Sequence, residues 1–173
     1  MPSPGSQANM RFIQNGEADF AFFQPHVIKD TSDFSDVRMI ANVFPEVVLT
    51  HVKKDLGYDP FIGELKEREN TTIAVGEEGS GSTVNSEAIL NHFDNSSLIG
   101  NRVTKEYDEI ITSFEAGRID GAIVTTEENA QIQKRIAETG KTKLIELPFA
   151  ESFVANNPEF HLHEIPSGFY RVF

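Results

Sequence analysis

Thr71-Thr-Ile-Ala-Val-Gly76 runs without a break into Glu77-Glu-Gly-Ser-Gly81-Ser82-Thr83, and this stretch decides the fold. Its first half is short, β-branched and apolar, the pattern of a buried strand. Its second half is a Gly/Ser turn, and Ser82 or Thr83 is placed to cap a helix that reaches about Phe93. Strand, glycine turn and helix in that order make the unit of an α/β sheet.

The same alternation continues on both sides. Downstream, Lys105 to Ala116 is amphipathic, with Ile110, Ile111 and Phe114 on one face and Gly117 closing it. Ile119 to Val124 then reads as a strand, Glu127 to Thr139 as a helix closed by Gly140, and Thr142 to Leu147 as a strand. Upstream, Ser6 is a good N-cap for a helix to about Asn15, with Gly16 ending it. Asp19 to Gln24 reads as a short buried strand, Val37 to Val43 as a second and Glu46 to Val52 as a third. Residues 53 to 70 are polar and carry two glycines and a proline, so a connector is expected there. The fold class is therefore α/β, with a mainly parallel sheet covered by helices.

Composition narrows the partners. The net charge of −12 argues against nucleic acid and anionic membrane surfaces, which need clustered Lys and Arg. With no cysteine, disulfides, thiolate metal sites and cysteine nucleophiles are excluded. With 14 Phe and no Trp, the aromatic core must be built from Phe. No apolar run approaches the roughly 18 residues of a membrane span. Met1 to Ser6 has neither a charged nor an apolar region, so it is not a signal peptide.

The loop from Gly76 to Thr83 carries the main chemical signal. Backbone N–H groups at a helix start favour an anion, and Gly79 and Gly81 allow a ligand close to the backbone. The hydroxyls of Ser80, Ser82 and Thr83 can add hydrogen bonds. The segment nearly spells a P-loop, but Ser82 stands where the lysine belongs and Glu77 and Glu78 would repel phosphate, so the nucleotide reading is rejected. A plain strand-to-helix turn is the bland alternative. A second site of the same kind occurs at Gly5-Ser6, with Asn9 one turn later. Two helix starts facing one another can grip a carboxylate without a buried cation.

Other candidates are weaker. His161-Leu-His163 could put two imidazoles on one face of a strand, but no third ligand is placed, so surface histidines and no metal are expected. Asp19, Asp120 and Glu46 lie beside apolar strands and are as well suited to capping or pairing. Ser80 lacks a nucleophile elbow and a histidine partner, so no enzymatic activity and no cofactor are expected. Asn70-Thr-Thr and Asn95-Ser-Ser match the glycosylation sequon, a pattern that arises often by chance.

Taken together, the motifs resemble the TAXI group of solute-binding proteins of TRAP transporters. Gly5-Ser-Gln-Ala-Asn9, then Gly16-Glu-Ala-Asp19 and a segment ending in Gln24, is similar to that family's opening. Phe44-Pro-Glu46 resembles its Tyr-Pro-Glu, with Phe in place of Tyr. Glu64-Leu-Lys66, Val75-Gly76, Gly79-Ser-Gly-Ser82, Gly117-Arg-Ile-Asp-Gly-Ala122 and Ile165-Pro-Ser-Gly-Phe-Tyr170 follow in the family's order.

The resemblance implies a type II periplasmic-binding fold of two lobes, incomplete at both ends. Met1–Thr50 with Pro148–Phe173 would form one lobe and His51–Leu147 the other, with a hinge near 48–52 and 147–150. It implies a periplasmic receptor for a small anionic solute, such as glutamate or a related carboxylate, delivering to an integral membrane permease. Exposed sheet edges of the first lobe would allow a homodimer. Ser6, Asn9 and Gln24 would line the cleft from one lobe and Ser80, Gly81 and Ser82 from the other. Gly5, Gly79, Thr83 and Thr125 complete the candidate ligand-binding set. The competing readings are a non-binding relic or interaction module of the same fold, and an enzyme or regulator reusing the cleft.

Overall fold

A computed structural model describes residues 2–28, 35–93 and 100–170; the Asn95 sequon lies outside them. In chain order the elements are α1 (Ser6–Gln14), β1 (Val47–Lys53), α2 (Leu65–Glu69), β2 (Thr72–Ala74), α3 (Gly81–His92), β3 (Asn101–Val103), α4 (Tyr107–Glu115), β4 (Gly121–Thr126), α5 (Gln131–Glu138), β5 (Thr142–Ile145) and α6 (Ala150–Asn156). A single turn of 3-10 helix at Pro25–Val27 lies between α1 and β1.

The five strands form one sheet in the order β3-β2-β4-β1-β5. β2 pairs parallel with β3 and with β4, while β1 runs antiparallel to both β4 and β5. Four strands thus share a direction and β1 alone is reversed, which meets the expectation of a mainly parallel α/β sheet. Parallel neighbours need crossover connections, and α3 and α4 supply them.

β4 occupies the centre and is buried along its whole length. Its alternating side chains feed two cores, one on each face. Ala122 and Val124 join Ala74, Ile110, Phe114 and Ile136 beneath α4 and α5. Ile123 points the other way, with Ile73, Val75, Leu90, Phe61 and Phe153 beneath α3 and α6. The expectation of a Phe-built core holds on both faces, through Phe114 on one and Phe61 and Phe153 on the other. Asp120 ties the end of β1 to the start of β2, its carboxylate accepting from Lys53 Nζ at 2.9 Å and from the Thr72 N–H at 3.0 Å. It is a structural carboxylate.

Two expected strands do not form. Asp19–Gln24 and Val37–Val43 form no regular element, and Phe20, Phe22, Met39, Ile40 and Val43 are all more than 60% exposed. A strand needs a neighbour to complete its ladder, and both sides of β1 are already taken by β4 and β5. Side chains satisfy part of the first segment instead: Asn9 Nδ2 donates to the Phe22 carbonyl at 2.7 Å, and the Gln24 N–H donates to Ser6 Oγ at 3.1 Å. The stretch with His161 and His163 is also not a strand. Conversely, α2, β3 and α6 arise where no element was expected.

Candidate functional site

The N-termini of α1 and α3 meet. Gly5, not Ser6, holds the N-cap of α1, with φ 139°, a conformation open to glycine. A Cβ on Gly5 would lie 3.0 Å from the Ser80 Cα, so only glycine lets the two helix starts approach this closely. The Gln7 N–H donates to the Gly79 carbonyl at 3.1 Å, linking the first turn of α1 to the loop before α3.

Ser80, rather than Ser82 or Thr83, caps α3: its Oγ accepts the Thr83 N–H at 3.1 Å. The chain is extended at Ser80 and enters the helix at Gly81, so the cap falls two residues earlier than the sequence suggested. Thr83 Oγ1 donates to the Glu77 carbonyl at 2.5 Å, which shapes the loop. Ser82 reaches across to the sheet, where its Oγ accepts the Thr125 N–H at 3.1 Å. Asn85, one turn further along α3, donates from Nδ2 to Thr125 Oγ1 at 3.1 Å. Thr125 is thereby fixed from two positions of α3 at the end of β4.

Gln24 lies over this junction. A Cβ on Gly81 would overlap the Gln24 side-chain oxygen, so the bare Gly81 backbone is what makes room for the amide. The amide nitrogen donates to the Glu46 carboxylate, at the foot of β1. Its oxygen is buried and has no hydrogen-bond partner. His26 packs close by, hydrogen-bonded to the Gly81 backbone; burial lowers its pKa, with that bond and Glu159 opposing.

The acidic groups around the junction are shifted. Burial raises the Glu46 pKa, offset in part by the Gln24 hydrogen bond. Glu77 is also raised, by burial first and by Glu106 second. Tyr107 leaves part of its ring in solvent but turns its hydroxyl inward to donate to the Thr125 carbonyl at 3.1 Å. Burial first, then Glu46 and Glu77, push that hydroxyl up to about 12.

Of the residues singled out in the sequence, Gly5, Ser6, Gln24, Gly79, Ser80, Gly81, Ser82, Thr83 and Thr125 thus fall in one connected group. Asn9 sits at its edge, accepting from Ser3 Oγ at 2.6 Å while bracing Phe22. Sequence reasoning missed Asn85, Tyr107 and His26, and took Glu46 only as a carboxylate near a strand. The Phe-Pro-Glu segment just before a valine-rich strand was the available signal for Glu46. An open hollow of about 500 Å³ adjoins the group, lined by Glu77, Tyr107, Thr126 and Arg135. A second, of about 540 Å³, lies elsewhere among Phe61, His92, Phe93 and Phe149. Neither is lined by Gly81. His163 pairs with Glu128 at 3.3 Å, and among the described residues no group of metal-ligating side chains is assembled.

Among solved structures, the chain is similar to an ancestral arginine-binding protein bound to arginine, at 16% identity and a TM-score of 0.41, covering 67% of this chain and 53% of that one. An ancestral arginine-binding protein bound to glutamine is similar at 15% identity and a TM-score of 0.39, over 67% and 52%. A mutant of ArgBP from T. maritima follows at 12% and 0.37, over 72% and 54%. The chain spans about half the length of these structures. No curated protein matches it. The match that decides its relationship is to a sequence family and runs from residue 2 to residue 172: the chain belongs to the NMT1-like family, of solute-binding-protein-like chains.

Proposed function

We propose that the chain is an extracytoplasmic solute-binding receptor of the TAXI group, serving a TRAP-type transporter and catalysing no reaction. The observation that carries this reading is the meeting of two helix starts over a bare Gly81. Backbone N–H groups and hydroxyls converge there. Such a junction suits the carboxylate of a small solute. The TAXI assignment rests on the motifs around Gly5, Gln24, Glu46 and Ser80; the family match supports a solute-binding protein at large.

In this reading Met1–Thr50 with Pro148–Phe173 forms one lobe and His51–Leu147 the other, and the solute draws them together for presentation to a membrane permease. Phe149, in the 147–150 stretch expected to be a hinge, is the one described non-glycine residue with positive φ, at 57°. Backbone strain of that kind is expected where a segment must change conformation.

A second reading, an interaction module of the same fold without a ligand, is favoured by the exposed Phe20 and Phe22, which offer an apolar surface to a partner or a second copy.

A thermal-shift screen against amino acids and small di- and tricarboxylates tests both. A ligand that binds only the native state stabilises it by about 2.7 kcal/mol at one hundred times Kd. A selective rise is expected, and Gly81→Ala should abolish it by placing a methyl group where Gln24 and the ligand must fit. No rise with any solute would sink the receptor reading and leave the interaction module.

A further inference from the structure

The chain between α6 and Tyr170 forms no helix or strand, yet it is fastened at both ends. At the near end Phe160 packs against the Phe61–Phe153 core. Its ring lies 5.0 Å from Phe153 and 5.6 Å from His26, which in turn bonds the Gly81 backbone. At the far end the Tyr170 hydroxyl donates to the Glu128 carbonyl at 2.5 Å. His163 Nε2 lies 3.3 Å from the carboxylate of the same residue. Glu128, in the turn between β4 and α5, thus receives the segment twice, once through its backbone and once through its side chain.

Between these anchors little holds the segment. Residues 161–164 and 166–169 are all exposed. The Phe169 N–H closes a turn on the Pro166 carbonyl at 3.0 Å, with Gly168 at φ 84°, the value a type II turn needs there. That turn reverses the chain just before Tyr170. The anchors are also unequal. Phe160 is held by ring packing against a core, whereas the Glu128 end has one hydrogen bond and one solvent-exposed pair, which contributes little. A segment with few buried apolar contacts opens locally before the domain unfolds. Glu128 lies in the turn whose neighbours Thr126, Ala130 and Gln131 wall the hollow of about 500 Å³ beside the helix-start junction.

We propose that residues 161–169 are a strap, hinged at Phe160 and clasped at Glu128, which opens as a unit and frees the β4–α5 turn that walls this hollow. The strap rests on these contacts alone and stands whether or not the chain binds a solute. Burial first and Glu128 second push the Tyr170 hydroxyl up to about 12, so it stays a donor across the ordinary pH range.

The test is limited proteolysis of the full chain with chymotrypsin, beside amide exchange read by mass spectrometry. Cleavage of a transiently opened segment follows the population of its open form when opening and closing are fast. Tyr170→Phe keeps the ring and removes the hydroxyl, so cleavage after Leu162 should quicken about fivefold, the weight of one net hydrogen bond. Exchange of the Ala130 amide, which donates to the Glu127 carbonyl at 3.0 Å, should quicken with it. Cleavage after Phe153, inside α6, should stay slow and the melting temperature should not move. An unchanged rate after Leu162 would overturn the clasp. Equal quickening after Phe153 and Phe114 would mean global unfolding and overturn a strap that opens by itself. Faster cleavage after Leu162 with an unchanged Ala130 amide would overturn the link to the turn.

Discussion

The described residues between 18 and 46 and the sheet strands from Val47 to Ile145 have comparable apolar content and different fates. Ala-Ile-Val of β4 (residues 122–124) is sealed between two helical layers, each of its three residues 0% exposed. Phe-Ala-Phe-Phe of residues 20–23 is as β-prone, yet Phe20 and Phe22 stand 78% and 75% exposed. Local propensity is similar; the partner is not. β4 has a strand on each side and helices over both faces, whereas residues 18–24 are held by two side-chain hydrogen bonds from α1. Strand character in a sequence is a capacity for pairing, and the pairing decides burial.

The sharpest way to break this comparison is to remove one ring from each region. Phe114, 1% exposed, fills the core beneath α4 and α5, so Phe114→Ala should cost about 3–5 kcal/mol in denaturant unfolding. The same change at Phe22 should cost less than about 0.5 kcal/mol. Equal losses would mean that residues 18–24 are packed in solution in a way the exposed aromatic rings deny.

A smaller effect probes the sheet from beneath. His51 on β1 is buried and its Nε2 donates to Gln133 Oε1 at 2.6 Å, and Gln133 Nε2 donates to Thr126 Oγ1 at 3.0 Å. Burial lowers the His51 pKa to about 4, the Gln133 bond opposing it. A folded value below the unfolded 6.5 means that the unfolded chain takes up the proton first. Stability from this group is therefore complete above about pH 6.5 and is lost as pH falls toward 4. The loss is on the order of 3 kcal/mol. Unfolding free energies of the chain and of His51→Gln, measured from pH 7 to pH 4, should converge at the acid end. Parallel curves would remove His51 as the cause.

How far all this was legible follows the same division. β4 and α3 were readable because apolar spacing and a Ser/Gly cap are local signals. β3, with the polar sequence Asn-Arg-Val, and α6, whose N-cap is Phe149 in a left-handed conformation, carry no such signal. They owe their form to the sheet edge and to the Phe61–Phe153 core. At the site, the loop 79–83 was visible as a glycine-rich helix start, while Gln24 and Glu46 were joined only by the fold, being 22 residues apart. A family motif could point to each of them. Neither spacing nor composition could show that they bond to one another, or that Gly81 is bare because Gln24 occupies the space above it.

The smallest expected effect is the one that sharpens the contrast most. Phe20→Ser with Phe22→Ser removes two exposed rings, 78% and 75% in solvent. Nothing in the fold is emptied by the change, and the carbonyl of residue 22 still accepts from Asn9. The denaturation midpoint should move by less than the equivalent of about 0.5 kcal/mol, while binding of an apolar dye falls because the exposed patch is gone. A midpoint loss above about 1 kcal/mol would show that these rings are packed after all. The difference between the two regions would then be one of degree, and the exposed segment would have to be counted as part of the core.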